Sequence, residues 1–101
     1  MTRNGVELPQ EAITAFCRKW RVRELALFGS VLRPDFGPNS DVDVLVSFES
    51  GEQWNLWDIV AMKEELEALL GRPVDLVEKK ALRNAFRRQE ILSHNEVIYA
   101  A

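Results

Sequence analysis

Apolar residues recur along this chain with two different periods. Behind Pro9, a residue suited to a first helical turn, Ile13, Phe16, Cys17 and Trp20 fall on one helical face, so Pro9 to Trp20 reads as an amphipathic helix. Glu24 to Phe28 is too short for a stable helix and is bounded by Gly29, which predicts a buried strand. Pro34, Gly37, Pro38, Asn39 and Ser40 crowd together and predict a loop over Pro34 to Ser40. From Asp41 the period drops to two: Val42, Val44, Val46 and Phe48 share one face, and Asp41, Asp43 and Leu45 the other. This is the clearest strand in the sequence. Asn55 then caps a helix with Asp58 three residues on; Leu56, Ile59, Val60, Leu66, Leu69 and Leu70 form its apolar stripe, and Gly71 and Pro73 end it. Val74 to Val77, a helix within Ala81 to Ser93 and a strand near Glu96 to Tyr99 complete the pattern. The order helix, strand, strand, helix, strand, helix, strand predicts an α/β (α+β) layer structure with helices covering a small sheet. It leaves the strand order open.

Length and charge narrow the picture. At 101 residues the chain is the size of one domain spanning 1–101, and 47% hydrophobic with 29% charged residues is the balance of a folded soluble protein. Thirteen basic against 16 acidic side chains leave a net charge of −3, so no global positive field attracts nucleic acid. Cys17 has no partner for an internal disulfide, and the sequence shows neither a signal segment nor an apolar run of membrane-spanning length. A reducing cytoplasm is the expected location.

The chemistry lies in the acidic face of the clearest strand. Asp41 and Asp43 are two apart, so their carboxylates point the same way from roots about 7 Å apart. Held inward, two such anions repel, and a divalent cation between them removes the repulsion; hard oxygen donors of this type suit Mg²⁺ or Mn²⁺, which also bind phosphate oxygens. Asp75 alternates with Val74 and Leu76 and would add a third carboxylate if its strand lies beside that of Asp41. Gly29-Ser30 follows a strand and can open a short helical turn at Val31 and Leu32, whose free N–H groups receive a phosphate while Ser30 adds a hydroxyl. Either pattern alone is common: Asn-Ser-Asp is an ordinary turn, and Gly-Ser is weaker still. Their joint spacing is not.

Leu27-Phe28-Gly29-Ser30, ten residues, Asp41-Val42-Asp43, and later Pro73-Val74-Asp75-Leu76-Val77 together resemble the minimal nucleotidyltransferases of the polymerase-beta-like superfamily, whose signature is Gly-Ser, ten residues, Asp-x-Asp. The resemblance runs from about Leu25 to Tyr99. It implies the nucleotidyltransferase fold with a small mixed sheet. It also implies metal ligation, by two ions, through Asp41, Asp43 and Asp75, with Asp75 available as a base, and a triphosphate held by Gly29 and Ser30. Many members place Gly after the Arg that follows Gly-Ser; here Arg33 is followed by Pro34, which changes the loop and not the carboxylates. Minimal members resemble the antitoxin half of toxin–antitoxin pairs whose partner is a helical HEPN ribonuclease, and some transfer AMP from ATP to a tyrosine of that toxin. The resemblance thus implies ATP as substrate and a HEPN-type toxin as partner. Two rival readings remain beside it: an antitoxin that neutralises by contact without catalysis, and a transferase for a small molecule.

The other conspicuous residues carry less. Arg33 is a candidate phosphate ligand, balanced against an idle loop arginine. Lys79, Lys80, Arg83, Arg87 and Arg88 form a basic run of the kind that is usually solvated. Trp54 and Trp57 flank a helix start, where one can stack on a base or anchor a partner, with core packing the expected fate of Trp57. Cys17 shares an apolar face and reads as a buried thiol, and His94 has no ligand spacing to any neighbour.

Overall fold

The computed structural model describes residues 2–101. It opens with a hairpin that the hydrophobic pattern did not reveal, β1 (Thr2–Arg3) and β2 (Val6–Glu7), turned by Asn4 and Gly5 at φ 46° and 87°. Two successive positive φ values are the geometry that an Asn-Gly pair supplies to a tight hairpin. Buried Val6 and Leu8 then tie it to the core. The helix α1 (Gln10–Lys19) follows with Pro9 as its N-cap residue, and Ile13, Phe16 and Cys17 are its buried face.

The main sheet has the order β5-β4-β3-β6, where β3 is Val22–Phe28, β4 is Val42–Phe48, β5 is Val74–Glu78 and β6 is Asn95–Ala100. β3 runs antiparallel to both β4 and β6, whereas β4 and β5 are parallel. The sheet is therefore mixed. A parallel pair needs a crossover, and α2 (Leu56–Leu70) supplies it between β4 and β5. Asn55 and Asp58 form a reciprocal capping box at its start, and Gly71, at φ 66°, closes it in the left-handed conformation.

The two faces of the sheet are covered unequally. Val42, Val44 and Val46 join Ile13, Phe16, Met62 and Leu66 in one cluster beneath α1 and α2. Ala26, Phe28 and Leu45 turn the other way and meet Leu82 and Ile91, the latter from α3 (Ala85–Ser93). Asp43 and Asp75 share this second, less covered face, because they alternate with the valines of the first. No helix among the described residues is long and apolar enough to cross a membrane.

The stripe expected on α2 needs correction. Leu56 and Trp57 are 72% and 77% exposed, and Val60 is also exposed, so Trp57 is not a core residue. At 100° per residue, Trp57 and Val60 stand about 140° to 160° from Met62, which is fully buried and marks the true inner face with Leu66 and Leu70. The tryptophan that packs is Trp54, set edge-on to Trp20 with ring centroids 5.2 Å apart.

Candidate active site

β3 ends at Phe28, which pairs with Asp43 across the sheet. The chain then turns through a 3-10 segment, Gly29–Leu32, as the sequence suggested. Val31, fully buried, roots this turn in the core. From the amino-terminal hairpin, the side-chain amide of Asn4 donates to the carbonyls of Val31 and Arg33 at 2.7 and 2.9 Å, bracing the turn from behind. Gly29 has φ 74°, and a Cβ there would lie 2.2 Å from Asp43 Oδ2. The carboxylate rests directly on the glycine, so no larger residue fits without moving it.

The other side of the site is fixed by Arg72. Its guanidinium donates to the carbonyls of Gly37 and Ser40 at 2.7 and 2.6 Å and lies over the Phe36 ring, 4.7 Å from its centroid. This clamps the Pro-Gly loop just ahead of Asp41. The backbone N–H of Val42 donates to the Pro73 carbonyl at 2.9 Å and sets the parallel register in which Asp43 stands opposite Asp75. Residues in register on neighbouring strands share a face. Arg72 had no signal in the sequence: nothing in Gly-Arg-Pro announces a clamp on a loop 32 to 35 residues away.

The structure places Asp43 half-buried, with Asp41 and Asp75 exposed, and Asp41 is the residue immediately before β4. Burial holds the Asp43 carboxyl above its ordinary range, and the charges of Asp75 and Asp41 push it further the same way; Arg87 and the Ser30 backbone oppose them. Among the described residues no three His, Cys, Asp or Glu side chains are already closed around one point. Hard oxygen donors that repel until a cation arrives nonetheless fit Mg²⁺ or Mn²⁺, which take few protein carboxylates and complete their shell from water and phosphate. Ser30 is half-buried beside Gly29, and Arg33 is exposed at the end of the turn, its Nε 4.0 Å from Asp35.

A cavity of about 640 Å³ opens beside Gly29, with Phe28, Leu32 and Ile91 as apolar floor and Arg33 and Arg87 among its polar residues. That volume lies in the range of small-molecule sites. The basic run of the sequence thus divides. Arg87 reaches the aspartate end of the sheet, while Lys79, Lys80 and Arg88 line another cavity with Ser47 and Phe48 at the opposite end. His94 borders the first cavity, and Cys17 is fully buried with its thiol pushed up to about 12 by desolvation.

Comparison with known proteins places the chain in a family and a fold. Residues 10–98 match the nucleotidyltransferase domain family. The protein adenylyltransferase MntA of Thermococcus cleftensis is 41% identical over 81 residues, covering 80% of this chain and 77% of the relative. Among solved structures, a toxin-antitoxin crystallised with AMP-PNP superposes with a TM-score of 0.74 at 20% identity, over 93% of this chain and 75% of that one. A tri-AMPylated Shewanella oneidensis HEPN toxin in complex with MNT antitoxin gives a TM-score of 0.65 at 18% identity, over 91% and 70%. At these identities the solved structures show the shared fold.

Proposed function

The chain belongs to the nucleotidyltransferase domain family, and we propose that it is a protein adenylyltransferase that transfers AMP from ATP to a tyrosine hydroxyl of a partner HEPN toxin, acting as its antitoxin. The observation that carries this reading is the in-register pair of Asp43 and Asp75 beside the Gly29-Ser30 turn, on the open face of the sheet. The kinship to an adenylyltransferase supports the choice of donor and acceptor.

Asp41, Asp43 and Asp75 are the residues that would hold two Mg²⁺ or Mn²⁺ ions. When bound, these neutralise the triphosphate and lower the barrier to attack at its α-phosphorus. The Gly29-Ser30 turn receives phosphate oxygens on its backbone N–H groups and the Ser30 hydroxyl, and Arg33 stands at the end of the same turn to add a donor. Asp75, exposed, accepts the proton of the acceptor hydroxyl. The hydroxyl oxygen bonds to the α-phosphorus, the bond from that phosphorus to the bridging oxygen breaks, and pyrophosphate leaves with its electron pair. The open face encloses no acceptor, so a docked protein brings the hydroxyl within about 3 to 3.5 Å of the phosphorus. ATP as donor and a free thiol at Cys17 both suit the cytoplasm.

Intact-mass spectrometry of the co-expressed partner tests the proposal. Wild-type protein with ATP and Mg²⁺ should add AMP-sized increments to the partner, and Asp43→Asn should add none while still binding it. Full neutralisation by Asp43→Asn, with no adduct made by the wild type, would replace transfer with inhibition by contact.

A further inference from the structure

Arg87 brings a cation to the edge of the candidate site. It lies in the first turns of α3, exposed, in the wall of the cavity that also contains Gly29 and Arg33. It forms none of the ion pairs seen among the described residues, although Glu90 lies three positions on along the same helix. Gly29, in the same wall, carries the half-buried Asp43 carboxylate against it. A positive charge near the carboxylates of a metal site weakens their hold on the cation they would take up. It also draws any polyanion that enters beside them. The two effects are reconciled by a ligand that carries its own negative charge into the space between Arg87 and the aspartates.

We propose that Arg87 is a positioning residue for the triphosphate, closing the α3 side of the cavity over the phosphates while the Gly29-Ser30 turn holds them from the β3 side. This deepens the adenylyltransferase reading and rests on it. The apolar floor of Phe28, Leu32 and Ile91 then lies next to the phosphates and offers a surface for the base. A guanidinium suits this position because its planar fork of donors matches two phosphate oxygens at once. Arg33, on the other rim, meets the same ligand from the loop, and the two arginines close on it from separate elements.

The roles of Arg87 toward metal and toward phosphate have opposite signs, and that is the test. Calorimetry on wild type, Arg87→Gln and Arg87→Lys would use Mn²⁺ alone, then AMP, ADP and the non-hydrolysable analogue AMP-PNP with Mn²⁺ present. The side chain is exposed, so the fold is expected to survive, checked by thermal unfolding. For Arg87→Gln, affinity for AMP-PNP should fall on the order of 10- to 100-fold, the range for one charge-assisted contact, and less for ADP and AMP. Its affinity for Mn²⁺ alone should hold or rise, and Arg87→Lys should recover part of the loss. Unchanged AMP-PNP binding in Arg87→Gln, or an equal loss for AMP and AMP-PNP, would overturn the inference and leave the adenylyltransferase reading standing. Failure of the wild type to bind any of the three nucleotides would overturn both.

Discussion

Gly29→Ala is the sharpest probe of the site, because two separate costs follow from one added methyl group. Gly29 has φ 74°, in the left-handed region, where an L side chain costs about 1 to 2 kcal/mol. The new Cβ would also stand 2.2 Å from Asp43 Oδ2 and 3.2 Å from its Cγ, so the carboxylate must leave its position. Displacing a half-buried side chain from its rotamer adds roughly 0.5 to 1.5 kcal/mol. The sum is about 1.5 to 3.5 kcal/mol, which lowers the melting temperature of a domain of this size on the order of 10 °C. The costs separate in a double-mutant cycle with Asp43→Ala. Without the carboxylate, Gly29→Ala keeps only the backbone cost, so the double variant should be more stable than the sum of the single effects by about 1 kcal/mol. Thermal and urea unfolding of the four proteins, without metal, measures this directly. Additivity within about 0.3 kcal/mol would mean that glycine and carboxylate do not touch, and the close approach that shapes the phosphate site would fall with it.

Four further outcomes follow from the same geometry. The folded-state pKa of Asp43 is raised above its ordinary value of 3.8, so its contribution to stability is fully present below that value and lost as pH rises through the raised one. Metal-free Asp43→Asn should therefore melt higher than wild type at pH 7 and converge with it toward pH 3; equal melting temperatures at pH 7 would refute the electrostatic account. Arg72→Ala removes two charge-assisted hydrogen bonds from the loop ahead of Asp41, so hydrogen exchange over residues 37–40 should accelerate and stability fall by about 2 to 3 kcal/mol; unchanged exchange would mean the loop holds itself. Met62→Ala should cost about 2 to 5 kcal/mol while Trp57→Ser stays within about 0.5, read by urea denaturation, since one is fully buried and the other 77% exposed. Cys17, with its thiol pushed up to about 12, should resist a thiol reagent in the folded protein and react at once in urea; labelling under native conditions would contradict its burial.

What the sequence disclosed and what it withheld divide along a physical line. The alternation from Val42 to Phe48 sends valines to one face and Asp43 and Leu45 to the other, because a strand has a strict period of two, and the structure keeps that division between its two hydrophobic clusters. The capping box at Asn55 and the left-handed Gly71 are likewise local rules acting within one element. The stripe of α2 is local too, but its inner face runs through Met62 and not through Leu56 and Val60, and that turn of the face exposes Trp57. Asn4-Gly5 was a readable turn signal whose strands, of two residues each, are too short to show a period. Other features depend on which strands become neighbours. Asp75 meets Asp43 only because β5 runs parallel to β4 in that register, and a string of residues does not state the register of strands that α2 separates. Arg72 and Arg87 lie further along the same line. One reaches back to a loop before β4, and the other joins the cavity beside Gly29 only after α3 has folded over the face that α1 and α2 leave uncovered. Residues that make the chemistry alternate with the core and can be found by period; residues that hold or steer it are recruited by topology, and for them the chain must first be folded.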